Sequence, residues 1–373
     1  MPVFSPPKCV FDLLRIVYFL RHGWEKLRNK ALDLKDVFSE FHADIWRKAA
    51  AELSVKLETY SGGFYRAHYG PRSTWIQDYL VQFDHFVTVQ VARNKPLVSK
   101  VLSEHGLPIP PFCSFTLQNI ASAREFLHQQ NALCVVKPAL ESAGGKGVTT
   151  HVKTNHDLSR AALFASAFCP YVMLERQFFG DVYRFLYLDG ELIDALRRRP
   201  PHVIGDGRSS IRELIQSENA RRVDRAGQSA LKVLVIDFDC RMTLRRAGFT
   251  LSSVPDKEKV VMVKTTTNES GAQECESVLG QIDAELIREG ARAAEVLGIR
   301  LAGIDIITQD AGRSLKQSGG VILEVNASPG LHYHYQVRNP EESIPVAIPI
   351  LRRLLDIDIE RKTRTSDGFL QQK

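Results

Sequence analysis

In Gly319-Gly-Val-Ile-Leu-Glu-Val-Asn-Ala-Ser-Pro-Gly-Leu-His-Tyr-His334 a glycine pair leads into a short β-branched apolar run that ends at a sharp Pro-Gly turn. Val321 to Val325 is expected to be a buried strand. Glu324 interrupts it where an unpaired charge is costly, so the carboxylate needs a cation. Asn326 stands two residues on, on the same strand face, where its side-chain oxygen can join the carboxylate on a hard metal ion. Working outward, Ala302-Gly-Ile-Asp-Ile-Ile-Thr308 repeats the pattern with Asp305 at its centre. Two neighbouring strands bearing Asp305, Glu324 and Asn326 make an oxygen-rich site suited to Mg²⁺, with Mn²⁺ as the alternative ion.

Upstream, Cys134-Val-Val-Lys-Pro138 is a strand carrying Lys137, and a loop with Gly144, Gly145, Lys146 and Gly147 follows it. Its three glycines let backbone N–H groups approach a polyphosphate, although glycine serves a bare hairpin equally well. It is not a Walker A loop, because the closing Lys-Ser/Thr is absent. Asn94 is an N-cap candidate for a helix through Glu104, and Lys95 at that helix start runs against the macrodipole and suits a phosphate partner. Backbone groups around Glu175 and Phe178 can read an adenine edge, and Arg184, on the strand that follows, can reach a phosphate.

The 373 residues, 44% hydrophobic and 25% charged, have ordinary globular composition and room for two or three compact units. Six cysteines without a C-x-x-C spacing favour reduced buried thiols and a cytoplasmic setting. Val10–Leu20 is apolar but too short to span a bilayer and contains Asp12 and Arg15. The net charge of +6 is spread over local clusters without a nucleic-acid motif, so the expected partners are small molecules, with no nucleic acid and no membrane span. A homo-oligomer is left open.

Helical spacing marks Phe11–Lys26 and Val37–Leu57. Gly63–Tyr69 and Phe86–Val91 are strand-like, with a helix start at Arg72–Trp75 between them. Residues 1–90 are therefore expected to form a small mixed domain without identifiable chemistry. A main domain follows over 91–355, divided into a lid part (91–173) and a metal-binding part (174–355), and a polar tail occupies 356–373.

The order Lys95, Val-Lys137-Pro, Gly144-Gly-Lys-Gly147, Glu175, Gly180…Arg184, Asp305 and Glu324-Val-Asn326-x-x-Pro-Gly330 resembles the ATP-grasp superfamily over residues 91–352. Pro201–Ile215 and Val263–Gly271 resemble the ATP-grasp region of cyanophycin synthetases, itself similar to that of bifunctional glutathione synthetases. The resemblance implies an α+β (α/β) ATP-grasp fold, with two subdomains gripping ATP and two Mg²⁺ ions. The implied activity is a carboxylate–amine ligase working through an acyl phosphate on amino-acid or small peptide substrates. Other ATP-grasp chemistry, thiol ligation or phosphoryl transfer, and a non-catalytic ATP-binding scaffold are the alternatives. On this reading Arg184, Lys264 and Asn268 are catalytic, and Ser270 and His334 lie on the acceptor side, where His334 can equally be a structural histidine. Arg197 and Arg198, in the run to Arg199, are expected to bind an anionic substrate carboxylate or to form an exposed basic turn. Cyanophycin synthetases continue into a Mur-ligase-like domain with no counterpart here, so one kind of amide bond is expected. The position two after Gly180, acidic in many relatives, is Val182, which leaves the ribose contact open, and Gly303 in place of arginine argues against D-alanine–D-alanine ligation.

Overall fold

The computed structural model describes residues 34–140, 144–223 and 232–357. The expected helix Phe11–Lys26 and most of the polar tail lie outside them. The first described element, α1 (Leu34–Glu52), buries Phe41, Ile45, Trp46 and Ala49, a helical stripe that packs on an antiparallel sheet. That sheet runs β1 (Lys56–Thr59), β2 (Phe64–Tyr69), β3 (Arg72–Gln77), β4 (Leu80–Val81) in sequence order. Two expectations fail here. Arg72–Trp75 is strand, because the Gly70-Pro71 turn pairs Tyr69 with Arg72 and Thr74 and Ile76 then alternate into the core. Phe86–Val91 is helical, within α2 (Phe86–Ala92), and packs against a later strand instead of joining a ladder; tertiary context overrides its β-branched residues. The first helix also stops short of Leu57, which belongs to β1.

The next unit begins with α3 (Lys95–Glu104), capped by Asn94, whose side chain accepts from the Leu97 amide, and closed at Gly106 with φ +73°. A four-stranded sheet is built from β5 (Phe112–Phe115), β6 (Cys134–Pro138), β7 (Thr149–Val152) and β8 (Val172–Arg176), in the order β5-β8-β6-β7. Two helices, α4 (Ile120–Gln130) and α5 (Asn155–Ser166), cover one of its faces, burying Cys134, Val136 and Leu174. Val135, Lys137 and Glu175 are left for the opposite face.

The largest sheet is antiparallel and uses β9 (Asp181–Leu188), β10 (Glu191–Arg198), β13 (Cys275–Ser277), β14 (Leu301–Thr308) and β15 (Val321–Ala327), in the order β13-β10-β9-β14-β15. Along β9, Tyr183, Phe185 and Tyr187 face α8 (Ala284–Val296), while Leu186 and Leu188 pack with α1 and α9 (Ala347–Leu354). Arg184 shares the period-2 face of those leucines, and Asp305 on β14 shares it too, since Ile304 and Ile306 point to α8. A bulge at Leu323 resets β15 so that Glu324 and Asn326 lie on that face while Ile322 and Val325 enter the α8 core. A smaller unit between β10 and β13 contains β11 (His202–Ile204), α6 (Ile211–Val223), α7 (Phe238–Arg246) and β12 (Val260–Met262) around its own apolar core.

Gly290 is where α8 meets the sheet: a Cβ there would overlap the Tyr187 hydroxyl, which donates to Ile287 O at 2.8 Å. Gly290→Ala should cost about 2 kcal/mol, and Tyr187→Phe in the same chain should return part of it; additive losses in a urea double-mutant cycle would show no clash. His42, buried on α1, is held below its ordinary 6.5 chiefly by burial, against the opposing bond to Phe38 O and the Asp78 charge. Its unfolded form takes a proton that the folded form refuses, so stability should fall as pH drops below about 6.5. His42→Phe should flatten that acid limb of Tm against pH, and an unchanged limb would assign it to other groups.

Candidate active site

Register alone assembles the acidic site. Across the neighbouring strands β9, β14 and β15 Arg184 pairs with Asp305 and Asp305 with Glu324, and Gly303 pairs with Asn326 two residues along. Arg184 donates to Asp305 through Nε at 2.5 Å and Nη2 at 2.7 Å, a buried bidentate pair. Burial works against the Arg184 charge, but Asp305 outweighs it and the guanidinium is held more firmly charged than usual. Gly303 makes room: a Cβ would lie 2.7 Å from Pro329 Cβ and 3.2 Å from Arg184 Nη1. The amide nitrogen of Asn326 points to Gly303 O at 3.3 Å and Asp305 Oδ2 at 3.5 Å, so its Oδ1 is the atom left for a ligand.

The opposite wall comes from the four-stranded sheet and α3. Lys95 Nζ lies 3.0 Å from Glu324, and Lys137 Nζ lies 2.7 Å from Glu175, both of that second pair being buried. Burial pushes the Glu324 carboxyl up, yet Lys95, Lys137 and Arg184 together hold it below its ordinary range. Two sheets thus face each other with lysines on one side and a carboxylate–carboxamide set on the other. Two carboxylates and an amide oxygen are hard donors that fit Mg²⁺. No group of three His, Cys, Asp or Glu residues suited to a metal occurs among the described residues, so Asn326 is needed to complete the set.

Gly144, Gly145 and Gly147 all have left-handed φ of 72–77°, the conformation of a tight turn that glycine permits, and Lys146 is exposed. The loop meets the smaller unit: a Cβ on Gly145 would lie 2.6 Å from Asn268 Nδ2. The amides of Arg176 and Gln177 donate to Pro111 O and Leu133 O, so the edge of a base along this stretch is left to Phe178 and to carbonyls.

Other sequence candidates have partners of their own. Lys264 is buried against Asp237 (2.6 Å) and Glu269 (3.4 Å), whereas Arg184 is paired with Asp305. Ser270 donates to Arg199 O at 2.6 Å. His334 is fully buried and paired with Asp194 at 2.7 Å, the structural role. Arg197 is neutralised by Glu276, and Asp181, the displaced ribose candidate, lies 3.7 Å from Arg197 and 3.8 Å from Arg199. Arg198 is not in an exposed turn: it ends β10, is 1% exposed, and stacks over Tyr333 at 4.2 Å. Two residues the sequence analysis did not single out stand nearby: His332, two residues past the Pro-Gly turn, whose ring centroid is 4.0 Å from that of Tyr333, and Lys232, beside Gly144.

No family model matches the chain. It is 31% identical over 280 residues to the cyanophycin synthetase of Trichormus variabilis, covering 74% of this chain and 30% of that protein. It is 27% identical over 296 residues to the glutathione biosynthesis bifunctional protein of Listeria innocua, covering 78% of this chain and 38% of that one. Among solved structures, the bifunctional glutathione synthetase from Pasteurella multocida matches with a TM-score of 0.56 at 20% identity, over 86% of this chain and 44% of that chain, a likeness of fold. The chain spans about a third of the length of the cyanophycin synthetases it matches. The mixed helix and antiparallel-sheet architecture is the ATP-grasp fold, and in sequence the chain resembles the ATP-grasp region of cyanophycin synthetases.

The buried pair predicts its own energetics. Asp305→Ala should destabilise by about 3–5 kcal/mol because it strands the Arg184 charge, and Arg184→Met with Asp305→Leu should recover most of that. Equal losses in urea midpoint for the single and double variants would deny the pair this role.

Proposed function

We propose that the chain is an ATP-dependent carboxylate–amine ligase forming an amide or peptide bond between amino-acid or small peptide substrates. The observation that carries this reading is the in-register set Arg184–Asp305–Glu324 with Asn326, facing Lys95 and Lys137 across one cleft. Asp305, Glu324 and Asn326 are the residues that would hold magnesium, which neutralises charge on the phosphate oxygens during transfer. Lys95, now on Glu324, and Lys137, now on Glu175, are cations able to turn to phosphate oxygens. A substrate carboxylate oxygen attacks the γ-phosphorus and ADP leaves; the amine nitrogen then attacks the acyl carbon, loses a proton, and phosphate leaves. Arg184, on the shared face, steadies the transferring group, and the 144–147 loop excludes water that would hydrolyse the acyl phosphate. The likeness to cyanophycin and glutathione synthetases, both named for condensations, supports the reading.

The test is a screen of amino-acid pairs with ATP and Mg²⁺, read by nucleotide product and product mass. ADP and phosphate in step with a new amide are expected, and AMP with pyrophosphate would overturn the chemistry. Glu324→Gln should cut turnover at least about a hundredfold, with the melting temperature little changed; near-normal turnover would remove the site. Lys137→Met combined with Glu175→Gln, which leaves no lone buried charge, should weaken ATP binding about tenfold by calorimetry, and unchanged affinity would place the nucleotide elsewhere.

A further inference from the structure

Beside the cleft lies a cationic stack that the ligase chemistry above does not use. The Arg198 guanidinium lies 4.2 Å above the Tyr333 ring, whose centroid is 4.0 Å from that of His332. Arg198 is 1% exposed and donates Nη2 to Thr267 O at 2.5 Å, yet its Nε has no acceptor and no carboxylate pairs with it among the described residues. Its neighbours differ: Arg197 has Glu276, and the equally buried Arg222 has Glu218. His332 is 4% exposed with both ring nitrogens unpartnered among the described residues. Burial holds its pKa well below the ordinary 6.5, and the nearby cations Lys232 and Arg198 lower it further. Lys232 is exposed and stands at the phosphate-side loop, where a Cβ on Gly144 would lie 3.0 Å from its Nζ. A buried guanidinium without a counter-ion and a buried imidazole without a partner are both costly, and an incoming anion relieves both.

We propose that Arg198, His332 and Lys232 form a seat for the anionic group of an acidic substrate, a carboxylate-bearing amino acid or peptide. This rests on the ligase reading and gives that enzyme a substrate class. Lys232 attracts the anion at the rim beside Gly144, Arg198 pairs with it, and His332 donates one N–H to it. Arg197, already neutralised, takes no part.

The test is direct binding to the full chain with Mg²⁺ and a non-hydrolysable ATP analogue. L-Glutamate is compared with L-glutamine, and L-aspartate with L-asparagine, by calorimetry. At least one acid should bind about tenfold or more tightly than its amide. Lys232→Met and His332→Gln should each weaken that acid about fivefold or more while leaving the affinity for the ATP analogue unchanged. Lys232 is exposed, so its variant reports even if the buried His332→Gln fails to fold. Equal binding of acids and amides, or an acid affinity untouched by Lys232→Met, overturns the seat. ADP formation with neutral substrates alone would overturn the seat and leave the ligase. Acid-selective binding that Lys232→Met weakens, without any turnover, would keep the seat and remove the ligase.

Discussion

The Arg184–Asp305 pair is the constraint from which the rest of the molecule follows. It places two charges on the face of the antiparallel sheet that also buries Asp194 and Arg198, with Glu324 beside them on the next strand. A buried charge is costly unless it is answered, and the ladder fixes who answers Arg184 and Asp305. Gly303 is bare so that the guanidinium can lie over β14, and Pro329 of the Pro-Gly turn closes on the same spot. The bulge at Leu323 turns Glu324 and Asn326 to this face without taking Ile322 and Val325 out of the α8 core. Loss of any one of these features would leave a buried charge or misplace a donor.

Where Leu186 and Leu188 stand, that face is closed by apolar side chains; around Arg184, Asp305 and Glu324 a second sheet faces it carrying cations instead. Lys95 crosses to Glu324, and Lys137 is held by Glu175 close enough to bear on the Glu324 carboxyl. The smaller unit between β10 and β13 ties itself to this second sheet. Thr150 bonds Thr265 at 3.1 Å, Arg246 donates to Thr150 O at 2.9 Å, and Phe164 packs on Phe238. Asn268 also sits against Gly145 and follows Thr267, whose carbonyl accepts from Arg198.

The thiols fit a quieter role. Burial pushes Cys113 up to about 12, Cys134 to about 11 and Cys240 to about 12, so each stays a protonated packing group. All five cysteines among the described residues are free, and no helix there is long and apolar enough to cross a membrane.

The sequence by itself determined the strands of the acidic site and the carboxylates on them. A charge inside a β-branched run has few physical solutions, and the spacing of Glu324 and Asn326 on a period of two places both on one face wherever the strand packs. It determined the Asn94 cap as well, because that bond is local and holds in any tertiary setting. Only the tertiary structure decided which charges meet. That Arg184 pairs with Asp305, that Lys264 belongs to Asp237 and Glu269, and that His334 serves Asp194 are long-range choices set by strand order. It decided equally that Phe86–Val91 is helix and Arg72–Trp75 strand, because a short β-branched run takes its state from the presence or absence of a partner strand. Arg197, Arg198 and Arg199 are identical letters in a row, and burial alone separates them: alternation on β10 sends Arg197 to Glu276 and leaves Arg198 inside, without an anion among the described residues.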